Sequence, residues 1–347
     1  MSKNNVLDLF CGCGGLSHGF IEAGYEVVAG IDHWQDALDT FAFNHTQSKA
    51  IKADLFNVSP KEIAKQLKTT NIDVIIGGPP CQGFSIAGKR LIDDERNQLY
   101  KSFVEFVSYF KPKAFIMENV PNIISMGKGA VKDEIIEDFT KLGYTVTYKI
   151  LLASEYGVPQ NRRRAFFVGL KNGQTFDFPL PTNQHLVTCE QAISDLPDET
   201  IDDGENYPVE AQSDYQRLMR MNSTVLNNHQ ATIHTPKTVE IIAQVPDGGN
   251  YKDLPEHLRE TRKVNIAWTR FNSQKPSFTI DTGHRHHFHY RFNRVPTVRE
   301  SARLQSFPDN FIFLKGKTSQ YKQVGNAVPP LLAQVLAEKL KDYLSEN

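Results

Sequence analysis

Short apolar runs alternate with longer amphipathic stretches through the first half of the chain. Val6–Phe10, Glu26–Ile31, Asp73–Ile76, Ala114–Met117 and Ala165–Leu170 read as buried strands, too short and too uniformly apolar for surface helices. Between them, Asn97–Phe110 spaces Leu99, Phe103, Phe106, Val107 and Phe110 at the interval of one helix face. Strand, helix and strand repeated in this way predict an α/β fold with a doubly wound, mostly parallel sheet. Beyond Leu170 the pattern dissolves into Pro, Asn, Asp and Gly, and residues 175–296 read as a separate, smaller β- and loop-rich region. Helical periodicity returns at Thr297–Gln305 and at Pro329–Leu344, the latter opened by two prolines that a first helical turn tolerates. No internal repeat or low-complexity tract interrupts this plan.

Composition narrows the class. In 347 residues, 40% are hydrophobic and 23% charged, which excludes wholesale disorder. No run approaches the length of a membrane span, and the first residues lack a secretory leader, so a cytoplasmic, reduced setting is expected. Cys11, Cys13, Cys81 and Cys189 form neither a disulfide framework nor a CxxC metal pair. The net charge of −1 hides an asymmetry. Asp177–Gln216 carries ten acids and no Lys or Arg, whereas His257–Arg303 carries ten Lys or Arg, three acids and five histidines. The basic stretch is a candidate for phosphate neutralisation, or else a solvated charged face.

Four constellations carry chemistry. Gly12, Gly14 and Gly15 follow the first strand, where glycine lets backbone approach a ligand, but Ser17 breaks the GxGxxG dinucleotide fingerprint. Asp32 ends the second strand, where a carboxylate can take ribose hydroxyls, and Asp54 follows the next turn. A nucleoside cofactor without a pyrophosphate fits this set. Gly78-Pro79-Pro80-Cys81-Gln82-Gly83-Phe84-Ser85 follows the third strand at the sheet's carboxyl edge, a stiff loop around one thiol. Glu118 ends the fourth strand at the same edge, where a carboxylate must be paired or protonated, and Arg162, Arg163 and Arg164 precede the fifth.

Taken in order, FxGxGG (Phe10–Gly15), PPCQGFS (Pro79–Ser85), ENV (Glu118–Val120), QNRRR (Gln160–Arg164), RESARLQSFPD (Arg299–Asp309) and QVGNAVPP (Gln323–Pro330) closely resemble the cytosine-C5 DNA methyltransferases of bacterial modification systems. The likeness covers roughly Val6–Leu170 and Thr297–Leu344, and leaves unmatched the stretch where that family carries its variable target-recognition region. It implies a cofactor-binding catalytic domain at 1–176 plus 318–347. The target-recognition domain with its hinge would be 177–317, its variable part about 177–295.

The resemblance further implies S-adenosylmethionine as cofactor and Cys81 as the thiol that adds to cytosine C6. Glu118 would hold N3 and the exocyclic amine, and Arg164 the base O2 with Arg162 in support. Phe10, Gly12, Gly14, Gly15, Leu16, Asp32, Asp54, Leu55, Pro80, Leu99, Asn326 and Val328 would form the cofactor pocket. Some relatives place Trp directly after the ribose acid; this chain has His33 there and Trp34 next, so either could stack on adenine. Ser85, Lys89 and Arg90 fall in a segment similar to the family's loop over the flipped base, and Arg270, Arg285, His287 and Arg291 are candidates for the DNA-reading region. The His284–Tyr290 run is read as touching phosphate or base edges, because its spacing matches no zinc pattern. Double-stranded DNA is the expected partner, with a cognate restriction endonuclease as a functional counterpart and the enzyme acting as a monomer. A tRNA-directed relative would share the motifs, but the long Leu170–Pro296 interval suits duplex reading.

Overall fold

The structure is a computed structural model, and it describes residues 3–80, 98–182, 185–259, 268–283 and 287–344. The chain forms two compact units. The first comprises Met1–Leu152, Arg163–Leu180 and Leu332–Asn347; the second comprises Ala153–Arg162 and Pro181–Leu331. Residues 153–162 and 318–331, expected with the cofactor-binding part, group with the second unit. The local reason is side-chain bonding: Arg162 and Gln160 bond to Gly325, Ile280 and Leu304, all in that unit.

In the first unit the elements run β1 (Asn5–Leu9), α1 (Gly15–Glu22), β2 (Glu26–Asp32), α2 (Gln35–Asn44), β3 (Lys49–Lys52), α3 (Pro60–Ala64), β4 (Val74–Gly77), α4 (Gln98–Phe110), β5 (Ala114–Asn119), α5 (Ala130–Lys141), β6 (Thr145–Leu152) and β7 (Arg163–Leu170). The sheet order is β3-β2-β1-β4-β5-β7-β6, with β7 antiparallel to both neighbours and the rest parallel. The five strands expected from apolar runs are present. Strands β3 and β6, which sequence patterning missed, occupy the two edges of the sheet. An edge strand buries less surface, so β6 opens with the mixed Thr-Val-Thr-Tyr-Lys and confines its apolar run to Ile150, Leu151 and Leu152 at its end, and most of its residues are at least partly exposed. Val6, Leu7, Leu9, Val74, Ile75, Ile76, Phe115, Ile116 and Met117 are fully buried, giving the central strands their uniformly apolar character. Phe103 and Phe106 from α4 and Phe139 from α5 fill one face of this core.

In the second unit regular structure is short. It consists of α6 (Cys189–Ile193), β8 (Glu205–Asn206), α7 (Asp214–Arg220), β9 (Val225–Leu226), α8 (Pro236–Ala243), α9 (Glu256–Arg259), β10 (Thr269–Arg270), β11 (His287–Phe288), α10 (Val298–Leu304) and α11 (Lys317–Asn326). The expected loop-rich character holds, with two-residue strand pairs rather than a continuous sheet among the described residues. A small separate core gathers Ile241, Ile242, Val245, Leu254, Phe288 and Val295. Thr297 caps α10 through a reciprocal pair with Glu300, as the expected helix start requires. Among the described residues, no helix is long and apolar enough to cross a membrane.

Candidate active site

The carboxyl ends of β1, β2, β4 and β5 lie at one edge of the sheet, and the strand order reverses between β1 and β4, where such folds open a ligand crevice. After β1 the chain turns sharply. Phe10 has φ 60° and Gly14 has φ 95°, both left-handed. At Gly14 a side chain is doubly forbidden, because a Cβ there would also lie 2.3 Å from the His45 ring. The Gly12 N–H donates to Asp32 Oδ2 at 2.9 Å and the Trp34 N–H to Oδ1 at 2.8 Å, so two backbone donors orient the Asp32 carboxylate. Asp54 is held likewise, by the Phe56 N–H at 3.0 Å and Asn57 Nδ2 at 2.8 Å.

A cavity of about 200 Å³ opens beside these acids, lined by Phe10, Asp32, His33, Ala53, Asp54, Leu55, Pro80 and Leu99. Seven of these were singled out from sequence; Ala53 was not. His33, rather than Trp34, lines the cavity. Gly12, Gly14, Gly15 and Leu16 shape the turn from β1 into α1 and are not among the described residues that line the cavity. Asn326 and Val328 belong to the second unit. There the Gln305 side chain bonds Ala327 O and Arg162 Nη2 bonds Gly325 O at 3.0 Å, fixing the turn that carries them.

At the end of β5, Glu118 Oε1 pairs with Arg164 Nε from β7 at 2.8 Å, the two side chains being 13% and 16% exposed. Of the two ways to keep a carboxylate there, this pairing is the one adopted. Arg164 Nη1 also donates to Arg163 O at 2.7 Å, which further restrains its fork. A Cβ on Gly78 would stand 3.1 Å from Glu118 Oε2, so the Gly78–Pro80 stretch runs past the carboxylate before reaching the cavity wall. Asn119 Nδ2 donates to Pro79 O at 3.0 Å, tying that stretch to β5. Cys81, Ser85, Lys89, Arg90 and Arg285 lie outside the described residues.

Arg162 does not join Glu118 in this first-unit pair. It is 2% exposed, and it donates to the Gly325 and Ile280 carbonyls inside the second unit. Arg270, expected at a guanine, is a correction: it is 4% exposed and all five of its N–H donors are taken. Its acceptors are the carbonyls of Val245, His289, Phe292 and Ile242 and the side chain of Asn293. With every donor committed, it braces the small core and has none left for a base. The basic stretch loses three more cations to the interior. Arg294 pairs with Glu300, and Arg303 with Asp195 and Asp309, while Arg299 is spent on backbone carbonyls and Asp309. Arg291 is exposed, over the Phe292 ring, and His287 packs against Phe271 and Phe278. His289, inside the histidine run, is fully buried, its Nδ1 accepting from the Arg291 and Phe292 N–H groups.

Sequence reading passed over Asp8 as a chemical group. It is buried in β1, and Ser17 Oγ of α1 donates to its Oδ2 at 2.6 Å. Burial pushes its pKa up to about 8, against the lowering effect of Ser17. The folded state therefore holds a proton that the unfolded chain releases near pH 4, so stability falls as pH rises from about 4 to about 8. An Asp8→Asn variant is expected to gain melting temperature over the parent by an amount that grows across this window and levels off above pH 8. Thermal melts from pH 5 to 9 check it; a pH-independent difference would refute the assignment. The available signal was a carboxylate inside an otherwise apolar strand.

The seven-stranded sheet with one antiparallel strand, and the cavity at its switch point, define the fold of S-adenosylmethionine-dependent methyltransferases. Within that class, residues 4–342 match the model of the C-5 cytosine-specific DNA methylase family, and the chain belongs to that family. It is 41% identical over 378 residues to the type II methyltransferase M.DdeI of Desulfomicrobium norvegicum, covering 98% of this chain and 89% of the relative. The type II methyltransferase M1.HphI of Haemophilus parahaemolyticus is 40% identical, with 96% and 85% covered. Among solved structures, an Escherichia coli prophage protein assigned as a DNA modification methyltransferase superposes with a TM-score of 0.82 at 29% identity, covering 99% of this chain and all of that one. Spodoptera frugiperda DNMT2 shares the fold at a TM-score of 0.65 and 18% identity, over 99% of this chain and 100% of its own. The protein is thus a DNA-modifying enzyme that methylates cytosine at C5.

Proposed function

We propose that the enzyme transfers a methyl group from S-adenosylmethionine to C5 of a cytosine flipped out of a short, specific duplex sequence, through a covalent Cys81–C6 adduct. The observation that carries this reading is the meeting, on one sheet edge, of the cavity and the Glu118–Arg164 pair, with Gly78–Pro80 running from one to the other. The cavity lining suits the cofactor. It offers two oriented carboxylates, Asp32 and Asp54, the apolar walls Phe10, Leu55 and Leu99, and, among the described residues, no Lys or Arg of the kind a pyrophosphate would attract. Asp32 would take the ribose hydroxyls, Asp54 the adenine amine, and Phe10 and His33 the adenine faces. S-adenosylmethionine, when bound, supplies an electrophilic methyl group.

The remaining chemistry falls to the chain. Cytosine C5 is a weak nucleophile until a thiolate adds at C6, when the displaced π pair makes C5 an enamine carbon. Cys81 forms that bond, and Glu118 accepts from the exocyclic amine and relays a proton to N3 as negative charge develops on the ring. Arg164 both compensates Glu118 and faces the base O2. Once C5 carries the methyl group, its proton leaves to water or hydroxide and the S–C6 bond breaks, restoring the ring. Reaching the base requires flipping it, at a cost on the order of a few kcal/mol. Ser85, Lys89 and Arg90 are assigned to the loop that closes over it, and the second unit, with Arg285, His287 and Arg291, to target reading. The type II relatives support a modification role opposite a restriction endonuclease; the enzyme is further assigned to the cytoplasm and to a monomeric state.

Bisulfite sequencing of DNA from a methylation-free host expressing the chain tests this. Protected cytosines within one short recurring sequence are expected. Complete conversion everywhere, with soluble protein that binds the cofactor, would overturn it.

A further inference from the structure

Phe278 is an exposed aromatic ring held in place by other rings. It is 44% exposed, whereas Ser277 before it is 1% exposed, so the extended backbone points Phe278 outward. That backbone is pinned. Ser277 N–H donates to Pro159 O at 2.9 Å, Asn161 N–H donates to Ser277 O at 2.8 Å, and Thr279 Oγ1 donates to Asn161 O at 3.0 Å. The Phe278 ring stacks on His287 with centroids 5.8 Å apart and planes 24° apart, and His287 in turn lies 5.5 Å from the fully buried Phe271. Three rings in series thus run from the interior to the surface. An exposed ring of this size usually costs solubility; here its conformation is already fixed, so a partner stacking on it would forfeit little rotamer entropy.

The surroundings indicate the kind of partner. Lys275, three residues before Phe278, and Arg291, four after His287, are exposed and have no carboxylate within ion-pair distance among the described residues. A fixed aromatic face in a stretch with exposed cations is the pairing that nucleic-acid surfaces use, rings for bases and cations for phosphates. Phe278 itself is uncharged, so neither net charge nor motif spacing marked it in the sequence.

We infer that Phe278 is a DNA-contacting residue, its exposed ring serving as a stacking platform for one nucleobase displaced from the stack of the target duplex. His287, assigned above to target reading, then contributes to it through Phe278, as the backing of that platform. This rests on the reading that the enzyme binds and methylates duplex DNA.

The test uses the full-length enzyme and a labelled duplex carrying the site found by bisulfite sequencing. Binding is followed by fluorescence anisotropy for wild type, Phe278→Ala, Phe278→Leu and Phe278→Tyr. Removing the ring is expected to weaken duplex binding roughly five- to a hundredfold, the range for losing one stacked base. S-adenosylmethionine affinity and melting temperature should stay at wild-type values. Phe278→Tyr should restore binding, and Phe278→Leu, which keeps apolar bulk but no ring, should not. An abasic scan should find one position whose loss weakens wild type by the same factor and leaves Phe278→Ala no weaker. Wild-type methylation with Phe278→Ala or Phe278→Leu binding within twofold of it would overturn the platform alone. A wild-type enzyme that methylates no DNA would overturn the underlying reading as well.

Discussion

A Cys81→Ser variant is expected to bind S-adenosylmethionine normally and to lose methyl transfer by roughly a thousandfold or more, the scale seen when a covalent nucleophile is removed. The hydroxyl is a far weaker nucleophile near neutral pH, and without addition at C6 the C5 carbon has no electron pair to offer. The neighbouring structure should survive, because Asn119 ties Pro79 to β5 independently of residue 81 and Pro80 stays in the cavity wall. Transfer of labelled methyl groups to duplex DNA, with cofactor affinity measured in parallel, checks this. Turnover within tenfold of wild type would remove the covalent step from the mechanism.

The second large effect is expected at the Glu118–Arg164 pair. Glu118→Gln keeps the shape but takes away the group that can pass a proton to N3 as negative charge builds on the ring, and should slow transfer about a hundred- to a thousandfold, the scale for loss of one general acid or preorganised group. Arg164→Ala should cost activity and also stability, because a mostly buried carboxylate is left without its cation; roughly 3 kcal/mol is the scale for breaking such a pair. Arg164→Lys should not restore it, since the pair uses Nε while Nη1 is bonded to Arg163 O, a geometry an ammonium cannot copy. In a double-mutant cycle the two losses should be strongly non-additive, with Glu118→Gln recovering part of the stability that Arg164→Ala removes. Additive rate and stability effects would show that the two residues act separately.

Much of the fold was legible because its signals are local. β1, β2, β4 and β5 announce themselves as apolar runs, since a central parallel strand is covered on both faces. The residues at or next to their carboxyl ends, Phe10, Asp32, Gly78 and Glu118, fall at the ligand edge for the same topological reason. β3 and β6 were not legible, because an edge strand with an exposed side carries no such run. The cavity lining was foreseeable apart from Ala53, and the choice between His33 and Trp34 was not, since adjacent residues differ in direction only once the backbone path is known.

By itself, then, the sequence determined the alternation of strands and helices, the order of the motifs and through them the family, because periodicity and turn chemistry act over a few residues. Only the tertiary structure decided what each charge does. Arg164 and Arg162 stand two residues apart, yet one faces Glu118 and the other is sealed among the carbonyls of Gly325 and Ile280. Arg270, Arg294, Arg299 and Arg303 look like a polyanion surface in one dimension and are interior braces in three. A cation can be buried only where enough acceptors converge on it, and those acceptors come from segments as distant as Asp195 and Asp309 for Arg303.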